Sequence, residues 1–228
     1  MTRLAQDRDT HLTPEEIATE ALRQFDEAKS EPSIRSLASA LQVTPSAIYH
    51  HYPSRAEIVQ AAVALVWQQA VMEMLALEPK PFEADPVDVL ISGGLATRRV
   101  WYRHYRVAPY MAATPEADDF VTNSLGLMAN LFERVGLSGE DAAHAFHSYS
   151  AFMIGAVLFT ALRRLANEQL GDRGQAAFHT EQSPVVAGRS SDETREALDE
   201  IMRTAATDPE RDEELFVEGL RRLIESFR

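Results

Sequence analysis

The chain has 228 residues, 45% of them hydrophobic and 25% charged, with a formal net charge of −13 and no cysteine. That balance is ordinary for a globular protein with a sizeable core. The missing thiols exclude disulfides, thiolate metal sites and cysteine nucleophiles, and the acidic charge argues against nonspecific affinity for nucleic acid. The opening residues, MTRLAQDRDTHLTPEE, carry no apolar run of signal-peptide type. The most apolar stretch, Ser150 to Leu162, is about 13 residues, short of the roughly 20 that a bilayer span needs. No membrane partner and a cytoplasmic location are the expectations.

In chain order the elements read as helices. Thr13-Pro14-Glu15-Glu16 is a capping box with proline at the first helical position, and Ile17, Ala21, Leu22 and Phe25 recur on one face. From Ser33 to Ile58 the spacing is that of two short helices joined by a tight turn. Leu37 and Ala38 face inward on the first, Leu41 closes it, Val43 plugs the turn and Ile48 anchors the second. Thr44-Pro45-Ser46 starts that second helix with a hydroxyl cap and a proline. The resulting three-helix head has Ile17, Leu22, Phe25, Leu37, Leu41, Val43 and Ile48 as its expected core. Ser54-Arg-Ala-Glu57 opens a connector helix running to about Leu77. Prolines at 79, 81 and 86 interrupt the pattern before a helix from Pro86 to about Arg106. Pro109 and Pro115 punctuate the next connection. Thr114-Pro115 opens a helix ending at Gly136, and Ser138 opens another reaching about Leu170. Residues 171–190 lack periodicity and read as a loop; Ser191 and Asp208-Pro209 start the last two helices. The expectation is an all-α chain of nine or ten helices without strands.

A helix-turn-helix places the N-terminal end of its second helix in the DNA major groove while the first crosses the backbone. On that reading Thr44, Ser46 and Ala47 form a small polar tip, followed by Tyr49, His50 and His51, with Arg35 and Arg55 flanking as phosphate or guanine ligands. Residues 1–58 hold six Lys or Arg against nine Asp or Glu, a net of −3 that counts against DNA binding. The acids cluster in or before the first helix, however, and none lies between Ser33 and Tyr52. Few phosphate contacts and a shallow salt slope would follow.

The pattern V-[ST]-x-x-x-hydrophobic-Tyr-x-His-aromatic-x-Ser-[KR] is filled by Val43, Thr44, Ile48, Tyr49, His51, Tyr52, Ser54 and Arg55. It resembles the tetracycline-repressor (TetR) family over roughly the first quarter of the chain. The resemblance implies an all-helical homodimeric transcription regulator, usually a repressor. Residues 1–58 would be its DNA-binding domain and 59–228 its ligand-binding and dimerisation domain; its partners would be a double-stranded DNA operator and a small organic effector. One position departs: the turn residue that is commonly glycine is Gln42, so either the turn differs or a left-handed backbone is tolerated at a cost of about 1 kcal/mol.

Beyond the connector, the helix from Ser138 is apolar on more than one side, and Ala151 and Gly155 make a small-residue notch. With the last helix it can form half of an intermolecular four-helix bundle through Ala151, Gly155, Phe159, Phe216, Leu220 and Leu223; the alternative is an internal core helix of a monomer. Trp67, Trp101, Tyr102, Tyr105, Tyr110, Met111, Met128, Phe132, His147 and Phe152 are candidates for an apolar effector cavity or for plain core. Arg98, Arg99, Arg103 and Arg106 form a basic stripe that either pairs with acids or steers an anionic ligand. His144, His147 and His104 lack a carboxylate spaced to complete a metal site. No phosphate loop, serine elbow or dinucleotide fingerprint occurs, so no catalytic residue, metal or cofactor is expected. The competing class is a helical interaction protein or lyase-like enzyme with a vestigial N-terminal motif.

Overall fold

The computed structural model describes residues 11–27, 31–111, 119–170 and 191–227. Among these residues there are nine α-helices and no strand. The helices are α1 (Pro14–Glu27), α2 (Ile34–Leu41), α3 (Pro45–His51), α4 (Arg55–Leu77), α5 (Pro86–Arg103), α6 (Asp119–Val135), α7 (Gly139–Leu170), α8 (Asp192–Thr207) and α9 (Pro209–Glu225). The expected helix start at Thr114-Pro115 and the expected loop at 171–190 lie outside the described residues.

Local chemistry sets most helix starts. Thr13 and Glu16 cap α1 reciprocally, with Thr13 Oγ1 accepting from the Glu16 amide at 3.2 Å and Glu16 Oε2 from the Thr13 amide at 3.0 Å. Ser33, Thr44, Ser54, Asp85, Ser191 and Asp208 cap α2, α3, α4, α5, α8 and α9. The α5 helix ends at Arg103 rather than Arg106. His104 caps it, and the chain then tightens into a 3-10 turn at Ala108–Tyr110, where Pro109 lacks the donor an α-helix needs.

Two apolar cores result. The first runs from Leu12 and the inner faces of α1–α3 along α4 (Ile58, Val59, Ala62, Val63, Val66, Ala70) to Val100, Trp101, Val107 and Met111, and on to Val157 and Ala161 of α7. It is continuous across residue 58. The second joins Val87, Leu90 and Ile91 of α5 to Leu131 and Phe132 of α6, Tyr149 and Met153 of α7, and Phe216, Leu220 and Ile224 of α9. Of the expected head core, only Leu41 is half-buried; the rest is buried.

By length and composition α4 and residues 139–169 of α7 are apolar enough to cross a bilayer, which the count of one uninterrupted apolar run missed. Both are central helices here: α4 contributes seven buried residues, from Ile58 to Met74, to the packing between head and body. A polar residue every turn or so shortens the run without lowering the helix's mean apolarity.

The α5 helix lies close against α7 and α9 at Gly94, where an added Cβ would stand 2.5 Å from Leu220 Cδ2 and 3.1 Å from the Tyr149 hydroxyl. That hydroxyl donates to the Leu90 carbonyl at 2.9 Å, and full burial raises its pKa above that of an ordinary phenol. Gly94→Ala is therefore expected to destabilise the protein by about 1–3 kcal/mol through overpacking, measured by denaturant unfolding.

Candidate nucleic-acid interface and effector region

The turn between α2 and α3 is closed by the residue that departs from glycine. Gln42 sits at φ 59°, ψ 37°, in the left-handed region, and is the one non-glycine residue with positive φ among those described. Its amide donates to the Ser39 carbonyl at 3.3 Å, and Val43 N–H donates to the Ala38 carbonyl at 3.0 Å, the paired bonds of a Schellman motif. The turn is thus the usual one, with the strain tolerated. Val43 falls into the core as the motif's apolar partner.

On α3, Ser46, Tyr49 and His50 are exposed, with Tyr49 at 50%, and Arg35 on α2 is exposed beside them. His51 is half-buried, its ring edge-on to His50 at 5.5 Å between centroids. Thr44 Oγ1 accepts from the Ala47 amide at 3.2 Å, so that hydroxyl is engaged as the helix cap. Two candidates are placed differently from the expectation. Ala47 is half-buried against the head core, because its position on α3 turns partly toward Ile48's side. Arg55 is not free for phosphate: its Nε donates to the Pro32 carbonyl at 3.0 Å and its guanidinium pairs with Glu31. Glu31 lies just upstream of the acid-free stretch and close to Arg55 only in space. Tyr52, which the motif named without a role, donates from its hydroxyl to the Pro14 carbonyl at 3.1 Å, tying the end of α3 to the start of α1. Burial raises its pKa.

The aromatic candidates do not form one cavity. Trp67 and Trp101 meet edge to face at 5.2 Å in the first core, together with Tyr105, Tyr110 and Met111. Met128, Phe132 and Phe152 belong to the second core, Phe132 meeting Tyr149 edge to face at 6.0 Å and Phe152 lying tilted against Phe216 at 5.6 Å. His147 is exposed on α7. Helical spacing says that a residue faces inward but not which of two cores it meets. An open cleft of about 340 Å³ between α7 and the chain's end is lined by Leu137, Asp141, His144, Ala145, Ser148 and Phe227, none of them an expected pocket residue. Trp101 Nε1, in the first core, is buried without an acceptor, and Arg106 Nε, outside that core, is likewise unpaired.

The basic stripe pairs with acids from three other helices. Arg98 is buried and bonded to Asp212, with Phe216 under its guanidinium at 5.2 Å. Arg99 grips Glu213 through two bonds, at 2.9 and 2.6 Å, which holds that carboxyl below the usual carboxylate range. Arg103 bonds Glu73, and Arg106 bonds Glu168 at 2.6 Å. His104, outside the stripe as read, contacts Asp26 and Gln69. Among the described residues no cluster of three or more His, Asp or Glu could hold a metal ion.

The dimer candidates also divide. Ala151, Gly155 and Phe159 lie on an exposed stripe of α7 that also includes Ile154 and Leu162, with Phe159 at 51% and Leu162 at 55%. Nothing stands within 4 Å of a Cβ added at Gly155. Phe216 and Leu220, by contrast, are buried in the chain's own second core, and Leu223 is half-buried. The apolar side of α9 is spent inside the protomer.

A capped helix-turn-helix head carried by α4 on a helical body defines the class of helical DNA-binding regulators. Residues 79–227 match the family model of the tetracyclin repressor-like C-terminal domain. The chain belongs to the TetR family of transcriptional regulators. Among solved structures it resembles the TetR family protein ActR of Streptomyces coelicolor in complex with (S)-DNPA, at 20% identity and TM-score 0.67, over 95% of this chain and 98% of that one. ActR in complex with actinorhodin matches at 21% identity and TM-score 0.67, over 95% of each chain. TetR from Acinetobacter baumannii AYE matches at 20% identity and TM-score 0.61, over 92% and 94%. No curated protein sequence matches the chain.

Because Gln42 is exposed and holds a left-handed backbone, Gln42→Gly relieves that strain at little loss of packing. Its expected effect is a gain of about 0.5–1 kcal/mol, part of the relief being returned as unfolded-state entropy, measured by chemical denaturation.

Proposed function

We propose that the protein is a ligand-responsive repressor that binds a palindromic operator as a homodimer and releases it when a small organic effector occupies the body. The observation that carries this reading is the exposed, acid-free face of α2 and α3, where Arg35, Ser46, Tyr49 and His50 project from a head held by two reciprocal caps, at Thr13 and Ser33, and by the Ser54 cap of α4. One such helix reads too few bases for useful specificity, and two heads roughly 34 Å apart read a palindrome. The exposed apolar stripe Ala151, Ile154, Gly155, Phe159 and Leu162 supports pairing of two copies along α7. On this reading residues 1–58 act as the DNA-binding head and 59–228 as the ligand-binding and dimerisation body, with the first core running across the division. A cytoplasmic location goes with this role, and catalysis has no part in it.

For the effector, the buried and acceptorless N–H groups of Trp101 and Arg106 favour a largely apolar molecule that brings an oxygen acceptor. ActR is seen with actinorhodin and a TetR variant of A. baumannii with minocycline, and an aromatic, oxygen-bearing effector is proposed here in the same spirit. Binding would select a body conformation in which α4 tilts and the heads lose their spacing. A coupling of a few kcal/mol suffices for that.

A gel shift with the DNA adjoining the protein's own gene tests the reading, and a folded dimer that fails to bind at low salt overturns it. Arg35→Ala and Tyr49→Ala are each expected to weaken operator binding by about 1–3 kcal/mol with thermal stability nearly unchanged. If instead both unfold the head, the assigned face is wrong. Phe159→Glu is expected to convert the dimer to a monomer in sedimentation velocity while leaving the helical circular dichroism signal intact, because the ring is half exposed within one protomer.

A further inference from the structure

The end of α1 is held by the body at two adjacent residues. Asp26 and Glu27 close α1 with two acids, and its last turn contains no base, an arrangement that opposes the helix dipole. Glu27 is met within the helix by Arg23. Asp26 is met from 78 residues away by His104, the cap residue of α5, whose Nδ1 lies 2.9 and 3.1 Å from the two carboxylate oxygens. The carboxylate accepts, so Nδ1 donates to it, and Nε2 stands 3.0 Å from Gln69 Oε1 on α4, where a hydrogen bond forms either with the Gln69 amide turned to present its NH2 or with Nε2 also carrying a proton. One imidazole joins the head, the connector and the end of the helix that carries Trp101. Next to Asp26, Phe25 packs its ring on Tyr110 at 5.6 Å, so residues 104–110 grip α1 by one polar and one aromatic contact.

We propose that His104 is a positioning residue that sets the angle of the DNA-reading head, by clamping Asp26 of α1 to Gln69 of α4 from the end of α5. The inference rests on the regulator reading and deepens it, by naming the joint through which the body's state reaches the head. His104 lies three residues from the buried Trp101, and Arg103 beside it holds Glu73 of α4. A displacement of the end of α5 therefore pulls on α1 and α4 together. Without the imidazole the head keeps its own core, caps and turn but loses its polar tie to the body.

The test uses the full chain with His104→Leu, which removes both contacts, His104→Asn, whose amide can stand where Nδ1 does, and Asp26→Asn. Hydrogen exchange and operator affinity on the promoter-adjoining fragment are measured for each. His104→Leu is expected to speed exchange in residues 20–27 by about tenfold and weaken operator binding by a similar factor, with exchange in α9 unchanged. His104→Asn is expected to recover much of both, and the Asp26→Asn, His104→Leu pair to be no worse than either alone. Unchanged exchange in α1, or equal loosening of α1 and α9, overturns the proposal. If the wild-type protein binds no operator, the regulator reading fails, and exchange alone decides the clamp: local loosening of α1 upholds it, and its absence sinks it.

Discussion

The structure depends on α4 burying residues against two neighbours at once. Its first turns, with Ile58, Val59 and Ala62, complete the core of the head, and Val63, Val66 and Ala70 continue the same packing into the body. A helix with two buried faces is apolar nearly all round, which is why α4 has the length and apolarity of a membrane span. The continuity makes the head a lever rather than a bead on a string. A rotation of α4 cannot be absorbed at residue 58, because buried side chains on both sides of that position belong to one close-packed core.

Ion pairs fix what the core leaves loose. Along the second half of α5 and just past its end, Arg98 and Arg99 reach α9, Arg103 reaches α4, His104 reaches α1 and α4, and Arg106 reaches α7. Singly, exposed pairs of this kind contribute little. Arg98 is different, since a guanidinium buried beside Asp212 and over Phe216 leaves a costly unpaired charge when its partner is removed. The pairs also explain how an acidic chain holds a basic stripe: the arginines stand where acids from other helices converge, and each orients one helix against α5.

The head was legible because its instructions are local. Thr13, Ser33, Thr44 and Ser54 announce helix starts through hydroxyls that cap amides at most three residues on. Buried Leu37, Ala38 and Ile48 follow from helix period, and buried Val43 from the turn that joins the two helices. Gln42 could be placed in its turn, but whether the backbone would accept a left-handed glutamine depended on the Schellman bonds that close around it. The body was less legible. Phe132 and Trp101 look alike in a pattern of apolar spacing, yet one packs among α5, α7 and α9 and the other between head and body.

The amino-acid sequence by itself determined the all-helical class, the helix starts, the helix-turn-helix and its acid-free face. Those features rest on contacts within a few residues of each other. Only the tertiary structure decided that Arg55 is tied to Glu31 and Pro32, that Phe216 and Leu220 are spent inside the protomer while Phe159 and Leu162 remain outside, and that His104 meets Asp26. These depend on side chains brought together from separate helices. Their partners are chosen by how α4, α5, α7 and α9 cross, and no periodicity within one helix encodes the angle at which it meets another.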